Sequence, residues 1–237
     1  MLVKTKAIVI SSLRHQEKNL IVRCFTASDG IKSYYVQNAF GSKKVNQKIG
    51  YFQPLTLLEI EASHKNKGTL ERLKEVKLAH TYQTVHTHFM KSTLSLFIAE
   101  MLYAVIREEE KNEALFNYLE SALLWFDVHD QVVNFHLKLM LDITKFLGFY
   151  PDDTAMELPN FNLLDGQFST QISSHSLTEK ETILFKKLMN LSFDDANLNF
   201  NVSERQALLK ILLTYFHLHI GHFKTPKSIA VLKEVFS

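Results

Sequence analysis

Residues 20–36, LIVRCFTASDGIKSYYV, contain two apolar runs separated by a turn signal. Ser28-Asp29-Gly30 is the turn signal, because glycine readily adopts the positive φ that a tight hairpin requires. The stretch therefore predicts a β-hairpin. Similar apolar runs precede and follow this hairpin in the sequence.

Short apolar runs occupy the whole of the first 80 residues. In one run, Leu58, Ile60 and Ala62 alternate with glutamates, which is the period of a strand with one exposed face. The runs are residues 7–10, 20–25, 31–36, 54–62 and 70–78, the last with its apolar residues spaced by three. Five strands in so short a segment favour a small closed barrel over an open sheet with exposed edges.

The apolar spacing becomes helical after Ala79. It predicts a helix along the stripe from Leu94 to Val105, a second from Asn112 to Trp125 and a third that ends at Gly148. Thr178 with Glu181, and Ser203 with Gln206, have the spacing of capping boxes, and Thr225-Pro226 predicts the start of a final helix. We therefore expect an α+β protein with a barrel domain at 1–80 and a mainly helical domain at 81–237.

One irregular insert, from about residue 150 to 176, interrupts the helical part. Asp165-Gly166 lies between the runs 161–164 and 167–170, which is a strong short-range signal for a hairpin. The insert is therefore predicted to form a small two-stranded excursion.

Composition excludes several classes of protein. The chain has 237 residues, 46% hydrophobic and 22% charged, with one cysteine, so disordered and disulfide-stapled proteins are excluded. No apolar run approaches the roughly 18 to 20 residues needed to span a bilayer, and we expect a cytoplasmic protein without a membrane partner. Cys24 alternates with Leu20 and Val22, which predicts a core residue.

Charge is distributed unevenly along a chain whose formal net charge is +2. Residues 1–80 contain 14 Lys and Arg against 6 Asp and Glu, whereas residues 81–237 contain 13 against 19. A basic first third indicates a polyanionic partner, because clustered positive charge attracts phosphates. The alternative is a solvated basic surface with no partner.

No catalytic motif is present. The sequence lacks a glycine-rich phosphate loop, a dinucleotide fingerprint, a serine elbow and a two-histidine zinc helix. His217, His219 and His222 have spacings that place their rings on different faces of a helix, whereas chelation favours i and i+4. We therefore predict a protein that is not an enzyme and needs no metal or cofactor.

Cations interleaved with aromatic residues predict binding to nucleic acid instead. Cations follow the phosphates of a single strand while aromatic faces stack on its bases. Phe52 and one of the two tyrosines, Tyr34 or Tyr35, are expected to belong to the core. The predicted contacts are Arg14, Lys32, Tyr34, Lys43, Lys44 and Lys48, with Lys65, Lys67, Arg72 and Lys74 as second choices.

A series of short motifs runs along almost the whole chain. The N-terminal ones are 7–10, Glu17, 20–22, 25–26 with Gly30, 53–54 and 57–58; the C-terminal ones are 146–148 with Pro151, Tyr215 with 217–218, 227–228 and 231–232. In order and spacing these motifs resemble the bacterial recombination mediator family RecO. The resemblance implies an OB-fold followed by a helical domain, a nucleoid-associated protein and no catalytic residues.

The resemblance also implies activities and partners. These are binding of single- and double-stranded DNA, annealing of complementary strands, engagement of the C-terminal tail of single-strand binding protein and, with RecR, assistance in loading RecA. The acidic helical domain is the expected docking half, and Phe223, Lys224 and Lys227 are the residues predicted to receive the tail. Many relatives carry four zinc-binding cysteines beyond the segment that matches 146–151, and this sequence has none there. We therefore predict an insert held by packing, without metal.

Two other classes of function stay open on the sequence alone. One is a non-enzymatic protein-interaction adaptor whose barrel binds peptides. The other is an unrecognised nuclease or transferase, which would need a cluster of carboxylates or a metal site that the sequence does not display.

Overall fold

The computed structural model describes residues 1–40, 49–65, 70–106, 110–195 and 200–235. The chain divides into two compact units. Unit 1 contains Met1–Val128 and Pro226–Leu232, and unit 2 contains His129–Thr225 together with the residues from Lys233 onward. Among the described residues, no helix is both long and apolar enough to cross a membrane.

A five-stranded barrel occupies the first part of unit 1. Its strands are β1 (Leu2–His15), β2 (Asn19–Thr26), β3 (Gly30–Val36), β4 (Leu57–Ser63) and β5 (Glu71–Leu78). They pair in the order β1-β2-β3-β5-β4, and β4 pairs with β1 to close the barrel. The pairing of β3 with β5 is parallel and the other pairings are antiparallel. The expected closed barrel of the OB type is confirmed, including the irregular fifth strand.

The barrel interior is apolar along most of its length. Cys24 is 1% exposed in this core, and burial raises the pKa of its thiol to about 12, which confirms a packing role. Phe52 from a short 3-10 helix also packs there, as predicted. Gly30 has a φ of +64° at the β2–β3 turn, so the turn signal in the sequence is confirmed as well. The core includes Ala7, Val9, Leu20, Val22, Leu58, Ile60 and Ala62.

Two helices complete most of unit 1. Helix α1 (Phe89–Val105) packs against β1, and its predicted apolar stripe is buried. Helix α2 (Glu113–Val128) begins where the sequence indicated, with the Asn112 Oδ1 accepting a hydrogen bond from the N–H of Leu115 at 3.0 Å. The barrel ends at Leu78, close to the predicted domain boundary, but the compact unit also includes both helices.

Asp127 at the end of α2 anchors the connection between barrel and helices. Its carboxylate accepts hydrogen bonds from the N–H groups of Gln83, Thr84 and Val85 at 2.8 to 3.2 Å. Burial alone would raise the pKa of this carboxyl, but the backbone donors outweigh burial and lower the pKa. The buried Lys91 ammonium donates to the Asp127 carbonyl oxygen at 2.8 Å, so the connection is tied to α1 as well.

Unit 2 is helical with a small hairpin. Its helices are α3 (Phe135–Leu147), α4 (Glu179–Met189) and α5 (Val202–His219). Gly148 ends α3 in the left-handed conformation, with a φ of +82°, and Thr178 with Glu181 forms the predicted capping box of α4. Strands β6 (Asn160–Asn162) and β7 (Gln167–Ser169) confirm the hairpin in the insert.

Packing holds the insert hairpin in unit 2. The Phe161 ring lies 4.9 Å from that of Phe168 and 4.8 Å from that of Phe185, between ring centroids. Gly166 in the turn has a φ of +68°, and a Cβ there would lie 2.8 Å from the Tyr215 hydroxyl oxygen. A side chain at this position would therefore be strained both by its backbone and by its neighbour.

Two helix starts differ from the sequence prediction. Asn201 with Glu204, rather than Ser203 with Gln206, forms the capping box of α5, because the Asn201 Oδ1 accepts from the Glu204 N–H at 2.9 Å. The final helix, α6 (Ile229–Val235), begins three residues after Pro226. The N–H and hydroxyl of Ser228 both donate to the Glu100 carboxylate, at 2.9 and 2.8 Å, which orders the residues before the helix as a turn.

Candidate nucleic-acid interface

The two faces of β3 have different surroundings. Lys32 and Tyr34 point into the barrel and are 4% and 1% exposed. The Tyr34 hydroxyl lies 2.8 Å from the Nε2 of His64, whose Nδ1 lies 3.0 Å from the Oδ2 of Asp29. Burial raises the pKa of the Tyr34 phenol, and the carboxylates of Asp29 and Glu71 add to the shift. Of the two tyrosines, Tyr34 is therefore the core residue. Lys32 and Tyr34, which the sequence predicted as DNA contacts, both lie inside the barrel.

The opposite face of β3 belongs to an exposed row across four strands. Leu13 pairs with Ile21, Ile21 with Tyr35, and Tyr35 with Arg72. Directly paired residues project to the same side of a sheet, so these four side chains form one surface, here called the outer row. Leu13 is 67% exposed, Arg72 is exposed, and Ile21 and Tyr35 are partly exposed. The sequence prediction did not name Leu13, Ile21 or Tyr35 among the candidate contacts.

Cations lie beside the outer row. The Arg14 guanidinium carbon is 4.7 Å from the centroid of the Phe40 ring, and its Nη2 donates to the Glu17 carbonyl oxygen at 2.8 Å. Lys74 is exposed and lines, with Tyr35 and Arg72, a groove of about 700 Å³. The predicted residues Arg72 and Lys74 therefore lie in or next to the outer row, whereas Arg14 pairs with the buried Leu20 and projects from the opposite face of β1.

Not every predicted or basic residue joins this surface. Lys65 is exposed at the start of the β4–β5 loop, where its N–H donates to the Glu71 carboxylate at 2.9 Å. Lys4 and Lys6 are paired instead with Glu61 at 3.3 Å and Glu120 at 2.8 Å. The predicted contacts Lys43, Lys44, Lys48 and Lys67 lie outside the described residues.

Comparison with known proteins identifies the family of this barrel and its helices. The N-terminal model of Recombination protein O matches residues 1–82, and the C-terminal model matches residues 86–229. The chain belongs to the RecO family. A DNA repair protein RecO from Flavobacterium psychrophilum is 60% identical over 238 residues, with 100% of both chains covered. Proteins of the same name from Flavobacterium johnsoniae and Christiangramia forsetii are 56% and 43% identical, again over all of both chains.

Membership of the RecO family gives the chain a role in DNA repair and recombination. RecO proteins are DNA repair mediators and are not known as catalysts. The family assignment is consistent with DNA binding by an OB-type barrel.

The residues predicted to receive a partner tail differ in their exposure. Phe223 is buried in unit 2, with its ring centroid 5.5 Å from that of Phe216. Lys224 is exposed in the same unit, whereas Lys227 is exposed in unit 1. A groove of about 450 Å³ in unit 2 does combine apolar and cationic side chains, and its lining includes Lys180, Ile183, Leu184 and Lys187.

The histidines of α5 make structural contacts. The Nε2 of His219 donates to the Leu163 carbonyl oxygen at 2.9 Å, and its ring stacks on Phe149 with centroids 5.1 Å apart. The Nε2 of His217 lies 2.9 Å from the Thr225 hydroxyl oxygen. Over the five described ranges, no three or more His, Cys, Asp or Glu side chains are grouped so that they could hold a metal ion.

Proposed function

We propose that this chain binds single- and double-stranded DNA on the outer face of its barrel and anneals complementary strands. The observation that supports the proposal is the outer row, an apolar and aromatic strip that ends in Arg72 and is flanked by Lys74. OB-folds bind oligonucleotides on the face of strands 2 and 3 and on the adjoining loops, where Ile21 and Tyr35 lie.

The outer row suits a single strand in two ways. Tyr35 offers a ring on which a base stacks, a contact worth about 1 to 3 kcal/mol, and Arg72 offers a planar cation to the neighbouring phosphates. A duplex would use the cations alone, because its bases are already stacked. Annealing follows from the same surface, since cations reduce the repulsion between two strands while their base edges stay free to pair.

The mediator role extends this binding to other proteins. We propose that the chain, together with RecR, helps to load RecA onto DNA that is coated by single-strand binding protein. The tail of that protein is acidic and ends in phenylalanine, so its site needs an apolar surface beside a cation. The groove lined by Ile183, Lys180 and Lys187 offers an apolar surface beside cations, with Glu181 and Glu204 also in its lining, whereas Phe223 is buried.

A salt titration with the full chain tests the DNA-binding proposal. With roughly 4 to 6 phosphates neutralised, log K for a single strand should fall with log salt at a slope of about −3 to −4. The double variant Arg72→Gln, Lys74→Gln should bind more weakly and lower that slope by about 1.4, because each lost phosphate contact contributes about 0.7.

Lys4→Gln with Lys6→Gln is the matched control, because it removes the same charge from lysines that are already paired with carboxylates. Equal losses of DNA affinity in both double variants would show that net charge attracts the DNA and that no specific site binds it. Absence of any gel shift with a labelled oligonucleotide would exclude DNA binding and favour an adaptor that binds peptides in the 700 Å³ groove.

A labelled peptide with the acidic, phenylalanine-terminated sequence tests the docking site separately. Lys180→Gln with Lys187→Gln should weaken its binding about tenfold or more, since two charge-assisted contacts are lost. Lys224→Gln with Lys227→Gln should bind the peptide normally. The reverse result would favour the residues predicted from the sequence.

A further inference from the structure

A second pairing of a cation with an aromatic ring lies next to the outer row in unit 1. Arg23 is two residues from Ile21 on β2, so it projects from the same face of the strand. Its guanidinium carbon lies 4.4 Å from the centroid of the Tyr103 ring on α1. Tyr103 is 46% exposed, although most of α1 is buried.

Arg23 makes one side-chain hydrogen bond with the described residues. Its Nη2 donates to the Ile106 carbonyl oxygen at 3.4 Å, near the limit for such a bond. Its Nε is buried and has no acceptor within the described ranges. Lys4 and Lys6, by contrast, are held by carboxylates. Within the part of the chain that the structure describes, the guanidinium is thus positioned by a ring and one long hydrogen bond, and no carboxylate pairs with it.

The two aromatic positions are connected along the sheet. Ile21 lies one strand spacing, about 4.8 Å, from Tyr35, and Arg23 lies about 7 Å further along β2. The Arg23 side chain then reaches the Tyr103 ring. The surface from Tyr35 to Tyr103 alternates ring, aliphatic side chain, cation and ring, over a length within the roughly 4 to 16 nucleotides that an OB-fold covers.

We propose that Arg23 and Tyr103 form an extension of the DNA site that carries a single strand from the barrel onto α1. The inference rests on the proposed function, since it continues the same strand. A base stacks on the exposed part of Tyr103, while the terminal N–H groups of the Arg23 guanidinium donate to the adjacent phosphate. The occupant is a single strand because a duplex has no unstacked base to offer.

The extension ends at Tyr103. Leu96 lies seven residues earlier on the same side of α1 and is 51% exposed, but it has no ring and none of the described cations stacks on it. Leu96 therefore provides a matched control of similar exposure on the same helix.

Oligothymidylates of two lengths separate this inference from the proposed function. Tyr103→Leu should reduce affinity for a strand of about 16 nucleotides roughly tenfold and leave a strand of about 6 nucleotides, which occupies the outer row alone, nearly unchanged. Tyr103→Phe and Leu96→Ala should bind both strands as the unmodified chain does. Arg23→Gln should lower the salt slope for the longer strand by about 0.7.

Each alternative result contradicts a different statement. Unchanged binding of the longer strand by Tyr103→Leu would overturn the extension and leave the barrel site intact. Equal losses for Tyr103→Phe and Tyr103→Leu would contradict stacking. Failure of the unmodified chain to bind either strand would overturn the proposed function itself.

A fluorescence measurement gives an independent check. Trp125 is the only tryptophan in the chain, so Tyr103→Trp adds one reporter to a constant background. The longer strand should quench the added emission by stacking, and the shorter strand should not. Absence of quenching at saturating DNA would overturn the extension.

Discussion

The two faces of β3 contrast sharply although they alternate along seven residues. Lys32 and Tyr34 are enclosed in the barrel, whereas Tyr35, between Tyr34 and Val36 in sequence, lies on the outer row. The inner face directs its polar atoms to protein partners such as His64, and the outer face leaves a ring and neighbouring cations to solvent. Residue type alone therefore does not indicate which aromatic side chains of a basic barrel are accessible to DNA. The alternation of side chains between the two faces of the strand determines it.

Replacement of each tyrosine by alanine should give the largest difference between the two faces. Tyr34→Ala should lower the free energy of unfolding by about 3 to 5 kcal/mol, because it leaves a cavity in the barrel and removes the hydroxyl bonded to His64. Tyr35→Ala should cost less than about 1 kcal/mol, since the ring is only partly covered. Urea denaturation of the two variants measures both values, and similar losses would contradict the assignment of faces.

A buried histidine in unit 2, His136, predicts a dependence of stability on pH. His136 on α3 is 3% exposed, and burial, with a contribution from Arg205, lowers the pKa of its imidazole to about 3. The folded chain therefore keeps it neutral, while the unfolded chain protonates it below about pH 6.5. Between these values the unfolded state binds more protons, so stability falls as the pH falls.

We expect this histidine to lower the free energy of unfolding by about 2 kcal/mol between pH 7 and pH 5. His136→Gln removes the titrating group, so its unfolding free energy should depend less on pH by that amount. Urea denaturation of the unmodified chain and of His136→Gln at the two pH values measures this change. Comparing the two proteins cancels the contribution of the other titrating groups. Identical pH dependence in the two proteins would show that His136 is not held neutral.

The smallest effect concerns DNA affinity rather than stability. Tyr35→Leu should weaken binding of a single strand about tenfold, the lower part of the range for loss of one stacked base, and leave duplex binding almost unchanged. Fluorescence anisotropy with both substrates measures this selectivity. Tyr34→Phe is the control on the inner face and should bind both substrates normally; equal weakening by the two variants would remove the distinction between the faces.

The strands, the barrel and the insert hairpin were predictable from local patterns. Alternation in 58–62, Gly30 at a turn and the Asp165-Gly166 pair each depend on backbone preferences within a few residues. The capping box at Thr178 is local in the same way. The start of α6 was not predictable, because it depends on Glu100, more than a hundred residues away in sequence.

The candidate site was only partly predictable for a similar reason. Arg72 and Lys74 were found from charge, but the side of β3 that faces outward depends on the register with β2 and β5. The pairing of Arg23 with Tyr103 joins residues 80 positions apart and has no local signal. Likewise, the sequence alone does not show that Lys4 and Lys6 are paired with the carboxylates of Glu61 and Glu120.

The inclusion of Pro226–Leu232 in unit 1 has a consequence for synthesis on the ribosome. Domains generally fold as units, in order from the N-terminus as the polypeptide emerges. Here the amide and hydroxyl that bond to Glu100 are translated only after all residues of unit 2 up to Thr225. Unit 1 is therefore the first to begin acquiring its native contacts and cannot acquire the last of them until translation has passed Leu232.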